Sequence, residues 1–275
     1  MDGPQKGSSL ISVDWIEEHR RDPAVRLVEV DVSPAAYEEG HIPGAVLWNA
    51  YTDLRGEDYL PVGREELGRL LSRSGIAPGT TLVFYGYGAA LGLWLMRAYG
   101  HEDVQMLDGS REQWAEAGYE WSTEAPGEAA GPPVDLPTED AAILASRGAV
   151  EAAIDDPEQL LVDVRSDLEF DGSRFWPSGA TEDTGRAGHI PGAVSVPIDL
   201  LRREDGSLKG PEELRDIFEE RGVTPDRTLI LYCTIGNRAA QAWFGLSELL
   251  GYPDVSVYYN SWVEWGKAAE TPIDV

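Results

Sequence analysis

The chain reads as an α/β protein with two domains in tandem, each a parallel sheet with helices on both faces. Three observations predict this: a set of segments recurs in one order, short apolar runs alternate with helical patterns, and a Pro- and Gly-rich stretch separates the copies.

The repeats come in order along the chain. Leu27-Val28-Glu29-Val30-Asp31 matches Leu161-Val162-Asp163-Val164-Arg165, and Gly40-His41-Ile42-Pro43-Gly44-Ala45-Val46 recurs as Gly188-His189-Ile190-Pro191-Gly192-Ala193-Val194. Gly75-Ile76-Ala77-Pro78, leading to Thr81–Gly86, matches Gly222-Val223-Thr224-Pro225, leading to Thr228–Cys233. Last, Asp103-Val104 with Ser110 and Trp114 matches Asp254-Val255 with Ser261 and Trp265. The first copy is expected over residues 8–121, a linker over 122–138 and the second copy over 139–275. The linker holds Gly131-Pro132-Pro133 in a run rich in Pro, Gly, Ala and Glu, which offers little apolar surface to offset the entropy of ordering it. Thr228–Tyr232 is β-rich and nearly all apolar, as a strand covered on both faces should be. A proline-free helical stretch from Ala239 to Leu250 follows, and Gly251 sits where a left-handed residue stops a helix. The first copy repeats this with Ala89 to Tyr99 and Gly100.

The formal charge is -27, from 49 acidic and 22 basic residues, spread over both halves. Phosphate binding needs basic patches, so nucleic acid and anionic membranes are disfavoured as partners. Only Lys6, Lys209 and Lys267 are lysines. An acidic, lysine-poor surface suits a high-salt cytoplasm, where screening limits self-repulsion. No apolar run approaches the roughly 20 residues of a membrane helix. Met1–Ser9 is polar with no apolar targeting core, so the expectation is a cytoplasmic protein.

Cys233 is the only cysteine, which excludes an internal disulfide. The four histidines lack zinc-ligand spacing, so no metal is expected. A lone cysteine is ordinarily a small buried hydrophobe. This one follows a buried strand and precedes a helix, at the strand carboxyl end where open α/β sheets bind ligands. The turn Cys233-Thr234-Ile235-Gly236-Asn237-Arg238 can aim backbone amides at one spot, where a thiolate is stabilised as an anion would be. Gly86 stands at the equivalent place in the first copy, in a loop shorter by about four residues. The same fold therefore survives without the thiol, which argues against a purely structural role for Cys233.

These residues give the chain its resemblance to the rhodanese family. Gly-His-Ile-Pro-Gly-Ala appears twice, Ser261-Trp262-Val263-Glu264-Trp265 resembles the C-terminal motif of the tandem members, and the cysteine lies in the second copy only. Asn260 stands where the family usually has Gly. The resemblance covers about 8–121 and 139–267. It implies a thiosulfate sulfurtransferase: the Cys233 thiolate takes the outer sulfur of thiosulfate, sulfite leaves, and cyanide or a thiol collects the sulfur from the Cys233 persulfide. No cofactor is implied. The partners would be small-molecule donors and acceptors, and the protein a monomer.

Cys233 is the expected catalytic residue, and Thr234, Ile235, Gly236, Asn237 and Arg238 form the expected substrate-binding or active loop. Asp163, Arg165 and Trp262 are expected to support it, with Asp163 also a candidate ion-pair partner for Arg238. His41 and His189 occur in both copies and so read as structural. Arg174 and Arg186 fall in an insertion, Asp171 to Ala187, absent from the first copy. Neither the basic residues of thiosulfate-preferring members nor the small ones of mercaptopyruvate-preferring members follow the cysteine. Glu169 occupies the position of a substrate-binding arginine of the tandem enzymes. A 3-mercaptopyruvate sulfurtransferase and a rhodanese-domain binding scaffold are the alternatives. A phosphatase of the related cell-cycle family fits less well, because four residues separate Cys233 from Arg238 where phosphoryl chemistry uses five.

Overall fold

A computed structural model describes residues 9–275 except 57, 128, 130, 139 and 205. The expected boundary residues Ser8 and Glu139 lie outside the described residues. The chain forms two compact units, residues 1–139 and 140–275. In the first, strands β1 (Leu10–Ile11), β2 (Val25–Asp31), β3 (Val46–Asn49), β4 (Thr81–Tyr85) and β5 (Val104–Leu107) form one sheet in the order β1-β5-β4-β2-β3. In the second, β6 (Leu144–Ala145), β7 (Gln159–Asp163), β8 (Val194–Ser195), β9 (Thr228–Tyr232) and β10 (Val255–Tyr258) repeat it as β6-β10-β9-β7-β8. Every paired strand is parallel.

Helices α1 (Val13–His19), α2 (Ala35–Glu39), α3 (Arg64–Arg73), α4 (Ala89–Ala98) and α5 (Arg111–Glu116) belong to the first unit. Helices α6 (Arg147–Ala153), α7 (Asp167–Phe170), α8 (Pro211–Glu219), α9 (Asn237–Trp243) and α10 (Ser261–Trp265) belong to the second. Central strands are apolar because both faces are covered: Leu229, Ile230, Leu231 and Tyr232 of β9 are all buried. In the second unit one side of the sheet packs Ile230, Tyr232 and Tyr258 with Val150, Phe175, Ile190, Trp262 and Trp265. Phe175 brings the insertion 171–187 into that core.

The helix after β9 starts two residues earlier than the sequence suggested, because Gly236 takes φ +87° and turns the chain so that Asn237 is already helical. The loops therefore differ by one residue rather than about four: α4 begins three residues after Gly86 and α9 four after Cys233. Past Trp243 the helix widens to a π-turn over Phe244–Leu249, closed by Leu250 N–H on Gly245 O (3.0 Å), before Gly251 at φ +71°.

The Gly-His-Ile-Pro-Gly-Ala turns do the same work in both units. His41 Nδ1 donates to Tyr37 O and His189 Nδ1 to Phe170 O (2.8 and 2.9 Å), and each imidazole stacks on that residue's ring. The Tyr85 and Tyr232 hydroxyls accept from Ile42 and Ile190 N–H. The segment after each unit's last helix returns to pair with the histidine, Ser122 with His41 and Asp274 with His189. The described residues of the expected linker, 122–138, lie along the first unit: Val134 N–H bonds Gly68 O (3.0 Å), Ala129 N–H bonds Arg73 O (2.9 Å), and Leu136 is buried.

Candidate functional site

Cys233 follows β9 directly and is buried, with 1% of its surface exposed. Gly236 N–H donates to its sulfur at 3.0 Å, made possible by the left-handed backbone at Gly236. The other side of the loop is fastened to the start of α10. Ser261 Oγ accepts Cys233 N–H (3.2 Å) and donates to Tyr258 O (2.8 Å). Trp262 and Val263 N–H donate to the Cys233 and Thr234 carbonyls, both at 3.0 Å. Orphan amides at a helix start thus satisfy loop carbonyls, while the Gly236 amide is the one that meets the sulfur.

Ser261 was not singled out as a site residue from sequence. Its counterpart Ser110 caps α5 through a capping box, and Gly109 before it has φ +155°. With Asn260 replacing glycine (φ -66°), the left-handed turn passes to Ser261 (φ +54°), whose hydroxyl is redirected to Cys233.

Arg238 is paired with Glu169 and not with Asp163. Its two terminal nitrogens meet the Glu169 oxygens at 2.8 Å each. Thr234 Oγ1 donates to Glu169 Oε1 and accepts from Arg238 Nη2, both at 2.6 Å. Ser166, capping α7, adds its N–H and hydroxyl to Glu169 Oε2. Burial alone would raise the Glu169 pKa, but the Arg238 hydrogen bonds and charge, with Thr234 and Ser166, hold it at about 2. Burial likewise opposes charge on Arg238, yet Glu169 and the nearby Cys233 sulfur keep its pKa above the ordinary arginine value.

Asp163 and Arg165 form a second, fully buried ion pair with Nη2···Oδ2 2.6 Å. Arg165 Nη2 also donates to Gly188 O (2.6 Å), and the guanidinium lies 4.2 Å above the Trp262 ring. Trp262 is wholly buried, and its indole donates to Arg186 O (3.1 Å), so it backs the loop from the core. Asn237 is buried with Oδ1 unbonded, and Ile235 is half-buried. Arg186 donates to the Thr271 and Ala268 carbonyls, fastening the insertion to the C-terminal segment, and Arg174 donates to Pro177 O within the insertion.

The first unit is tight and backbone-strained for any side chain at the matching place. A Cβ on Gly86 would lie 3.0 Å from Val30 O and 3.2 Å from Glu29 Cγ, at φ +89°. Glu29, buried, pairs there with Arg111 (2.7 Å), which also donates to Gly40 O. Burial raises the Glu29 pKa more than the Tyr85 hydrogen bond and the Arg111 charge lower it.

The chain is an α/β protein of the duplicated kind with one buried loop cysteine. It belongs to the rhodanese family: the rhodanese-like domain model matches residues 12–117 and 146–268. A Haloferax volcanii protein with the provisional name thiosulfate sulfurtransferase is 40% identical over 279 residues, covering 96% of each chain. The sulfur carrier protein TtuD of Thermus thermophilus is 39% identical over 275 residues, covering 96% of this chain and 95% of its own. Among solved structures, the anaerobic ergothioneine biosynthesis enzyme of Chlorobium limicola, in complex with trimethyl histidine, superposes with TM-score 0.88 at 26% identity. That match covers all of this chain and 72% of the enzyme. A structure of EanB described as a cysteine persulfide with ergothioneine gives TM-score 0.87 at 26% identity, over 97% of this chain and 70% of EanB. Among the described residues no helix is long and apolar enough to cross a membrane.

Proposed function

We propose that this protein is a sulfurtransferase that moves sulfane sulfur from thiosulfate to cyanide or a thiol through a persulfide on Cys233. The observation that carries the reading is the Gly236 amide donating to the Cys233 sulfur at 3.0 Å, in a loop whose carbonyls are tied back to α10. A sulfur bearing negative charge, thiolate or persulfide, is stabilised at contact by that amide. The thiolate attacks the outer sulfur of thiosulfate, the S–S bond of the donor breaks, and its electron pair leaves on sulfite. Cyanide then attacks the terminal persulfide sulfur, giving thiocyanate and returning the thiolate. No net oxidation accompanies the cycle, and no cofactor is called on. The names of the relatives and the persulfide form of EanB support this reading. On it the partners are small molecules, the protein acts as a monomer in the cytoplasm, and the second unit carries the chemistry.

The test is direct. Wild-type protein incubated with thiosulfate should gain the mass of one sulfur atom on the peptide containing Cys233 and release sulfite. Cyanide should remove the added mass as thiocyanate. Cys233→Ser should take up no sulfur while keeping its circular dichroism and thermal unfolding. Substantial turnover by that variant would refute the reading.

A further inference from the structure

Two features separate the Cys233 loop from its counterpart in the first unit. One is the thiol. The other is the buried cluster of Glu169, Arg238 and Thr234, for which the first unit has no equivalent: its helix after β4 opens Ala89-Ala90-Leu91-Gly92. The cluster is therefore not demanded by the fold. Glu169 is fully buried and accepts five hydrogen bonds, from Arg238 twice, Thr234, and Ser166 twice. Arg238 donates to Thr234, the residue next to Cys233, at 2.6 Å, so an unmatched guanidinium there would attract anionic donors. Glu169 matches it instead, and Asp163 matches the other guanidinium near the loop, Arg165. Thr234, the residue after the cysteine, is drawn into the same cluster, its hydroxyl engaged by Glu169 and Arg238.

We propose that Glu169 is a positioning residue that sets the charge selectivity of the Cys233 loop: by holding Arg238 and Thr234 in a neutral cluster it withholds a countercharge from dianionic donors. Donors are then received through their transferable sulfur by the loop amides, and the second negative charge of thiosulfate is a handicap. This rests on the reading that Cys233 carries sulfane sulfur.

The test compares full-length wild type and Glu169→Gln with two donors that differ by one charge, thiosulfate and methanethiosulfonate, with cyanide as acceptor. In both, the Cys233 thiolate takes the outer sulfur and the electron pair leaves, on sulfite or on methanesulfinate. Glu169→Gln keeps the shape and frees the Arg238 charge. The ratio of kcat/KM for thiosulfate over methanethiosulfonate should rise about tenfold, mainly through the thiosulfate KM. A purely structural role weakens both donors together, so an unchanged ratio overturns the proposal. A second measurement needs only the wild type. Raising KCl from about 0.05 to 0.5 M screens the field of the acidic surface, which repels the dianion more. With no free cation in the loop, kcat/KM for thiosulfate should rise relative to methanethiosulfonate, and a relative fall would overturn the proposal. Failure of the underlying reading looks different: neither donor would add sulfur to Cys233 by mass, in either protein.

Discussion

Replacing Glu169 by Gln should destabilise the second unit at neutral pH and progressively less in acid. A carboxyl held at about 2 against an ordinary 4.5 favours the folded, ionised form by about 3 kcal/mol. Breaking a buried pair and leaving one charge unmatched typically costs 3–5 kcal/mol, which agrees. The folded pKa is depressed, so this stability is fully present above the unfolded value of 4.5 and is lost as pH falls through the folded value. By pH 3 roughly 2 kcal/mol of it should be gone. The assay is urea unfolding of the full chain at several pH values, with pulsed amide exchange read on the peptide containing β9, so that the second unit is followed specifically. The free-energy gap between wild type and Glu169→Gln should stay level from pH 7 to about pH 5 and narrow from there to pH 3. A constant or widening gap would show that the Glu169–Arg238 cluster does not carry the stability assigned to it.

Three further outcomes follow from the same geometry. Gly236→Ala places a Cβ on a left-handed residue, costing about 1–2 kcal/mol, and disturbs the amide bonded to the Cys233 sulfur; kcat/KM for sulfur transfer should fall about tenfold or more while the protein still folds, and full activity would contradict the amide's role. Ser261→Ala leaves the buried Cys233 N–H without its acceptor, for a loss of about 1–3 kcal/mol readable as a lower Tm, and an unchanged Tm would count against the bond. With a net charge of -27, Tm should climb as KCl is raised toward about 1 M and then flatten, since screening saturates; a falling Tm would show that attraction dominates the surface instead.

The duplicated sheets were legible because repeated apolar runs and turn glycines are local signals, and β4 and β9 fall where those runs lie. The site of Cys233 was legible for the same reason: a strand end followed by Gly and a helix is written in consecutive residues. Long-range pairing was not. Asp163 looked as suitable a partner for Arg238 as any, but it is taken up by Arg165 two residues on, while Glu169 arrives on the short helix α7 from 69 positions away. Ser261 was read only as part of a motif, because its first-unit counterpart is an ordinary cap; the shift of a left-handed residue from Gly109 to Ser261 is a backbone event. The substitution of Asn260 for glycine was the one sequence signal that pointed to it.

Comparing the two units separates what the fold needs from what the loop adds. In each, a buried carboxylate on the second strand in sequence pairs with the last residue of β4 or β9, and a guanidinium meets both that carboxylate and the carbonyl of the glycine before the histidine. The arginines come from unrelated places, Arg165 just past β7 and Arg111 at the start of α5, and each lies over a tryptophan, Trp262 or Trp121. Sequence alignment of the repeats sets Asp31 opposite Arg165 and conceals the equivalence. A buried carboxylate needs a matched charge and a buried carbonyl needs a donor, and one planar guanidinium with five N–H groups supplies both. Either route satisfies the same physical demand, so the pair survives in the unit that has no thiol. That assigns Asp163 and Arg165 to the frame. The Glu169–Arg238–Thr234 cluster has no such double, and it occurs only where the cysteine does. Its removal should therefore change which donors are used as well as lower the stability of the second unit.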